Sequence, residues 1–369
     1  MSELAGKKGE RLFALDVLRG LDMFLLVVVG PVFGACAKIW AIPKGVAAQF
    51  NHAWGGFTLW DIIMPLFIFM CGAAVPLALP RRLRDGRPTA AFWKHIASRV
   101  ALLWFLGMVA QGYLLTLEPA KFNPYSNTLQ AIATGYVMAA LALLVSNVCV
   151  RRALPFLLVF AYSLALAFGG DYSPRGNFAW TSEEWIRSLV PWPGNHAQWS
   201  YTWILTSLMF GAITLFGAQA TEIMTGADGE KRKCGTLAIY GAGLLAVGWL
   251  LVPCGIPMIK HIFTASFTLQ AVGWSMLALA FLYLVCDILK LRRWCWIFVL
   301  FGQCALFAYM VGGVFRGALV AFCDKALGGV PSVIGARWQP LVVQLGAGVL
   351  LSVCLYCWRL MKKGRRDTP

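Results

Sequence analysis

Charge is scarce in this sequence. Asp, Glu, Lys and Arg make up 13% of 369 residues against 59% hydrophobic residues, and mean hydropathy is +0.69. Soluble domains carry about 25% charged residues, so this chain cannot cover its apolar side chains with a polar surface, and a lipid environment is required. No hydrophilic stretch is long enough to fold as a soluble domain, and no internal repeat or low-complexity tract stands out. No zinc or haem motif is present, so no metal is expected. The eleven cysteines mostly fall in apolar runs without ligand-like or framework spacing. Cys354 and Cys357 form a CxxC without partner Cys or His, which reads as packing.

Apolar runs are what the chain has in quantity. A spanning helix needs about 20 mostly apolar residues, and about ten such runs recur. They fall at 14–36, 57–79, 96–117, 127–149, 153–169, 200–222, 235–253, 263–289, 295–315 and 339–358. Residues 315–340, interrupted by Gly328, Gly329, Pro331 and Gly335, read as loop or re-entrant backbone. Residues 24–37 resemble a signal peptide ending in Ala35-Cys36-Ala37. Cleavage there would leave an odd number of spans, so they read as a retained first helix.

Most of the 32 Lys and Arg lie in one alternate set of loops and tails, at 7–11, 81–99, 151–152, 231–233, 290–293 and 359–366. Short basic loops stay cytoplasmic, so the expectation is an all-α, multi-pass membrane protein forming one domain over 1–369. Both tails, 1–12 and 359–369, are then cytoplasmic, and 170–200 is the longest outer loop, rich in Trp and lying at the interface as a lid. The net charge of +16 is dispersed over these loops, where it sets topology and meets anionic lipid head groups. Nucleic acid is not an expected partner.

Charges inside spans are costly and point to function. The first run holds Asp16, Arg19 and Asp22 at i, i+3, i+6, so that Arg19 can contact both carboxylates. Such a ladder either pins the bundle or lines a polar cavity. A second cluster is Asn51-His52-Ala53-Trp54-Gly55-Gly56-Phe57-Thr58-Leu59-Trp60-Asp61. A histidine there can act as a general base, and a half-buried carboxylate can fix its tautomer. In one continuous helix the two would stand about 14 Å apart, so pairing requires the chain to fold back at Gly55-Gly56. His95 and His196 lie in polar surroundings. His261, beside Lys260 at a helix end, is either a second site residue or half of an interfacial pair.

These residues resemble the heparan-alpha-glucosaminide N-acetyltransferase family of transmembrane acyltransferases, its bacterial branch most closely. The resemblance runs through Arg11-Leu12-Phe13-Ala14-Leu15-Asp16-Val17-Leu18-Arg19-Gly20, His52-Ala53-Trp54-Gly55-Gly56 and Asp61-Ile62-Ile63-Met64-Pro65. It continues in Asn127-Thr128-Leu129-Gln130 with Tyr136, Gly217-Ala218-Gln219-Ala220, Pro257-Met258-Ile259-Lys260 and Thr264-Ala265-Ser266-Phe267. It implies transfer of an acetyl group from cytoplasmic acetyl-CoA to an amine or hydroxyl of a glycan or amino sugar across a bacterial inner membrane. The family's essential histidine falls on His52, with a role implied for Asp61. The donor is expected at Arg19, Asn127, Gln130 and Lys260, and the acceptor at Trp54, His261 and Ser266. Gly30, Ala131, Gln303-Cys304 and Phe263 depart from the lysosomal members, which implies a different acceptor. Homodimerisation is left open. The competing classes are a secondary transporter, against which the lack of an internal repeat counts, and a non-catalytic lipid- or glycan-binding protein.

Overall fold

A computed structural model describes residues 12–84, 86–112, 114, 118, 123–189 and 201–367. The first eleven residues, His196 and the 190–200 part of the expected outer loop lie outside the described residues. Among the described residues the secondary structure is helical, apart from a two-stranded antiparallel hairpin pairing Leu83–Arg84 with Arg87–Pro88. The chain divides into two compact units: one runs from His52 to Ala280, and the other joins Leu12–Asn51 to Phe281–Pro369.

In the discontinuous unit, α1 (Phe13–Phe24), α2 (Gly30–Ile39) and α3 (Lys44–Ala48) precede the break. A π-helical segment, Leu25–Val29, joins α1 to α2. In the continuous unit follow α4 (Ile63–Ala78), α5 (Ala90–Gln111), α6 (Thr128–Ala142), α7 (Val148–Phe168), α8 (Phe178–Leu189), α9 (Ser207–Thr225), α10 (Glu230–Leu251) and α11 (Ala265–Leu282). The discontinuous unit resumes with α12 (Trp296–Gln303), α13 (Ala305–Tyr309), α14 (Arg316–Leu327), α15 (Val330–Ile334) and α16 (Gln339–Asp367).

Six helices are long and apolar enough to cross a bilayer: Phe13–Ile39, Leu59–Ala78, Val148–Phe168, Glu230–Leu251, Ala265–Ile288 and Ala336–Lys362. The pair Arg293–Gln303 and Ala305–Val314, bent by 77°, makes seven if it counts as one span. This is a membrane protein, with six or seven candidate spans among the described residues where about ten runs are expected from sequence. The shortfall has visible causes. Helix α6 is apolar but shorter, α5 carries Lys94 and Arg99, and α9 carries Gln219 and Glu222.

Helix α9 is the axis of the continuous unit, buried along most of its length and packed by α4, α6, α7 and α10. It approaches α4 closely because both helices place glycine at the crossing. A Cβ on Gly72 would strike the Thr214 carbonyl, and one on Gly217 would strike that of Phe69. Close backbone approach of this kind gives the van der Waals packing that holds helices together in lipid.

Two expectations change. Residues 316–327 form a helix rather than loop, because the run after Gly317 contains good helix formers and no breaker until Gly328. The Asp16–Arg19–Asp22 ladder does not form. Arg19 Nη1 lies 3.8 Å from Asp16 Oδ1, whereas both Asp22 carboxylate oxygens are buried without a hydrogen-bond partner. Helical side chains lean toward the N-terminus, which carries Arg19 back over Asp16 and away from Asp22.

Candidate functional site

The site belongs entirely to the continuous unit and begins with a local motif. Thr58, Leu59, Trp60 and Asp61 form a capping box ahead of α4. Asp61 Oδ2 accepts from the Thr58 backbone N–H at 3.0 Å and from the Thr58 hydroxyl at 2.8 Å. This leaves Oδ1 free to face away from the helix start. His52 reaches it because Gly56, at φ +107°, turns the chain back where a side-chain-bearing residue would be strained. The Gly56 N–H donates to the Met258 carbonyl at 2.8 Å, which ties this turn to the second segment of the site.

His52 Nδ1 stands 2.7 Å from Asp61 Oδ1. An ionised carboxylate only accepts, so Nδ1 carries the proton and Nε2 keeps its lone pair. The His52 side chain is 37% exposed while Asp61 is 2% exposed, so the base is reachable and its orienting group is not. Lys260, 208 residues away in sequence, closes the cluster. Its Nζ is 3.3 Å from Asp61 Oδ1 and 3.1 and 3.4 Å from the two ring nitrogens of His52. An atom so close to both nitrogens would collide with Cε1 if it lay in the ring plane, so the ammonium sits over the imidazole face and pairs with the carboxylate. Burial pushes the Lys260 amine down to about 8, against the opposing pull of Asp61.

The turn carrying Lys260 is constrained from several directions. Thr264 Oγ1 accepts from the Ile259 N–H at 3.0 Å and donates to the Pro257 carbonyl at 2.7 Å. The Tyr162 hydroxyl donates to the Ile262 carbonyl. Phe263 adopts φ +45°, a conformation costing about 1–3 kcal/mol for a bulky residue. Its ring is held edge-on by Phe210 at 5.0 Å and by Phe267 at 5.3 Å.

His261 is flanked by two aromatic rings, Trp54 stacked at 5.0 Å and Tyr201 at 4.3 Å. The Trp54 indole N–H is committed to the Tyr172 carbonyl at 3.0 Å. His261 is 8% exposed, and its Nδ1 is buried without a hydrogen-bond partner. Burial first, then the nearby Lys260 and His52 charges, push its imidazole down to about 4, so it is neutral at neutral pH. Tyr201 is positioned through its neighbours. The Thr202 N–H donates to the His261 carbonyl at 3.3 Å, and buried Glu183 of α8 accepts from the Trp203 and Ile204 N–H groups at 2.7 and 3.2 Å.

The structure thus brings together His52, Asp61, Lys260, His261 and Trp54. Four other candidates are occupied elsewhere. The Asn127 side chain accepts from the Leu129 N–H at 2.9 Å, and Gln130 Oε1 accepts from the Ser126 and Asn127 N–H groups at 2.9 and 3.1 Å, so the pair caps α6. The Ser266 hydroxyl donates to the Pro257 carbonyl at 2.8 Å and supports the Lys260 turn. Arg19 is in the other unit, on α1, beside Asp16. Sequence reasoning passed over Thr58, although Thr-x-x-Asp before an apolar run is a capping signature. It also passed over Tyr201, which has no local signal beyond its place ahead of an apolar helix. Among the described residues no cluster of His, Cys, Asp and Glu is arranged to hold a metal ion.

Residues 11–182 match a family described as a domain of unknown function (DUF5009). Over 138 residues the chain is 30% identical to the human (Homo sapiens) protein named heparan-alpha-glucosaminide N-acetyltransferase. That similarity covers 36% of this chain and 19% of the human protein, so the chain matches about a fifth of the relative's length.

Proposed function

We propose that this protein is a membrane-bound acyltransferase that moves an acetyl group from cytoplasmic acetyl-CoA to an amine or hydroxyl of a sugar or glycan on the extracytoplasmic side. His52 serves as general base or acetyl carrier. The observation that carries this reading is the His52–Asp61 contact of 2.7 Å with Lys260 over the ring. A buried carboxylate fixes the tautomer, leaving an accessible nitrogen lone pair. With the ammonium held over the ring face and the lone pair open, the imidazole suits a group that must take up a proton or an acyl group and pass it on. The partial likeness to a named N-acetyltransferase supports the same reaction class. We assign Asp61 and Lys260 to orienting His52, and Trp54 and His261 to the bound reactants. Ten spans, both termini cytoplasmic, and a bacterial inner membrane complete the proposal.

The test is incubation of purified protein with radiolabelled acetyl-CoA and candidate amino-sugar or glycan acceptors, following CoA thiol release and acceptor labelling. His52→Ala is expected to reduce transfer by about 10² to 10⁴, with acetyl-CoA binding retained and His95→Ala near wild type. Wild-type transfer by His52→Ala would refute the assignment of the histidine. A secondary transporter is the alternative, and the observation that favours it is the buried, unpartnered Asp22 carboxylate. A transporter releases no CoA, so the same assay separates the two.

A further inference from the structure

Resting on the acyltransfer reading above, we infer that Tyr201 and His261 together form the pocket for the oxygen of the transferring acyl carbonyl. One buried nitrogen at the site lacks a hydrogen bond. His261 is almost wholly buried, its Nδ1 has no partner, and stacking between Trp54 and Tyr201 fixes its ring in place. A buried polar nitrogen left unsatisfied costs about 1–3 kcal/mol, so a ring held in that state marks where a ligand atom completes the site.

The ligand atom follows from the neighbours. The Trp54 N–H is already committed to the Tyr172 carbonyl, and the Lys260 ammonium is held between Asp61 and the His52 ring face. Two donors remain at the stacked Tyr201–His261 pair. One is the N–H of His261, which is neutral at physiological pH. The other is the Tyr201 hydroxyl, which makes no hydrogen bond among the described residues. Two uncharged donors next to a nucleophile or base fit an acceptor that gains negative charge during the reaction, and a thioester carbonyl is such a group.

The nitrogen or oxygen lone pair of the attacking group forms a bond to the carbonyl carbon, and the carbonyl π electrons move onto oxygen, where the Tyr201 O–H and His261 N–H hold them. Collapse re-forms the carbonyl and breaks the carbon–sulfur bond. The thiolate then takes the proton that the attacking amine or hydroxyl gave up to His52 and leaves as CoA thiol.

Two variants preserve the aromatic stack while removing one donor each, Tyr201→Phe and His261→Phe. Each is expected to lower the maximal rate of CoA release about 10²-fold, with the concentration of acetyl-CoA at half-maximal rate changed much less. A binding comparison gives a readout that partial misfolding does not move. Wild type should prefer acetyl-CoA over S-ethyl-CoA, whose methylene replaces the carbonyl, by about 3- to 10-fold, and both variants should lose that preference. Either variant transferring within about twofold of wild type, or keeping the preference, overturns this inference alone. Wild type that neither binds acetyl-CoA nor releases CoA overturns the acyltransfer reading, and this inference with it.

Discussion

Two buried carboxylates, one in each unit, have opposite surroundings. Asp61 is 2% exposed and is met by the His52 ring, the Lys260 ammonium and both the hydroxyl and the N–H of Thr58. Asp22 is 0% exposed and meets none of these. The discontinuous unit does supply partners elsewhere. Asp287 accepts from the Ala14 N–H at 2.8 Å at the start of α1, and Arg316 donates to the Val27 carbonyl at 2.7 Å within the π-helical segment. A charge inside a span is therefore a weaker pointer to a working site than a charge with converging partners, because only the latter has its position, tautomer and ionisation set by the structure.

The contrast breaks most severely at Asp61. Asp61→Ala leaves Lys260 buried without its counter-charge, so stability is expected to fall by about 3–5 kcal/mol, read as a lowered thermal midpoint in detergent or lipid. Pairing it with Lys260→Met should recover most of that loss while leaving transfer abolished. Recovery of fold without activity separates the structural role of the pair from its chemical one.

The pH profile of CoA release sharpens the same comparison. Below about pH 8, Lys260 is an ammonium and pairs with Asp61. As pH rises through about 8 the amine loses its proton, Asp61 loses its cation, and transfer is expected to fall. Lys260→Met, whatever its residual rate, should show no such alkaline limb. A wild-type profile that stays flat to pH 10 would remove Lys260 from the mechanism.

The smallest effects belong to the other unit. Asp22→Asn removes no hydrogen bond formed in the structure, so stability should change by less than about 1 kcal/mol, measurable by thermal unfolding. Arg19→Ala removes a partly exposed ion pair with Asp16 and no contact with Asp22. Its cost is expected within about 1 kcal/mol, where a true three-residue ladder would lose several times that.

The sequence by itself determined the class of molecule, since apolar content and the length of apolar runs leave no water-soluble fold open. It also brought His52 and Asp61 into one short segment, with the glycines that let the chain turn back. It could not show which polar residues serve the helices and which remain for chemistry. Asn127, Gln130 and Ser266 look like site residues in a string of letters, but their hydrogen bonds close helix starts and turns. Lys260 joins His52 across 208 residues and Tyr201 reaches His261 across a separate helix connection. Such meetings depend on how the helices of the continuous unit pack around α9, with glycines at its crossing with α4 allowing close approach. Helical periodicity states which face a residue occupies, but only the packed bundle decides what stands opposite that face.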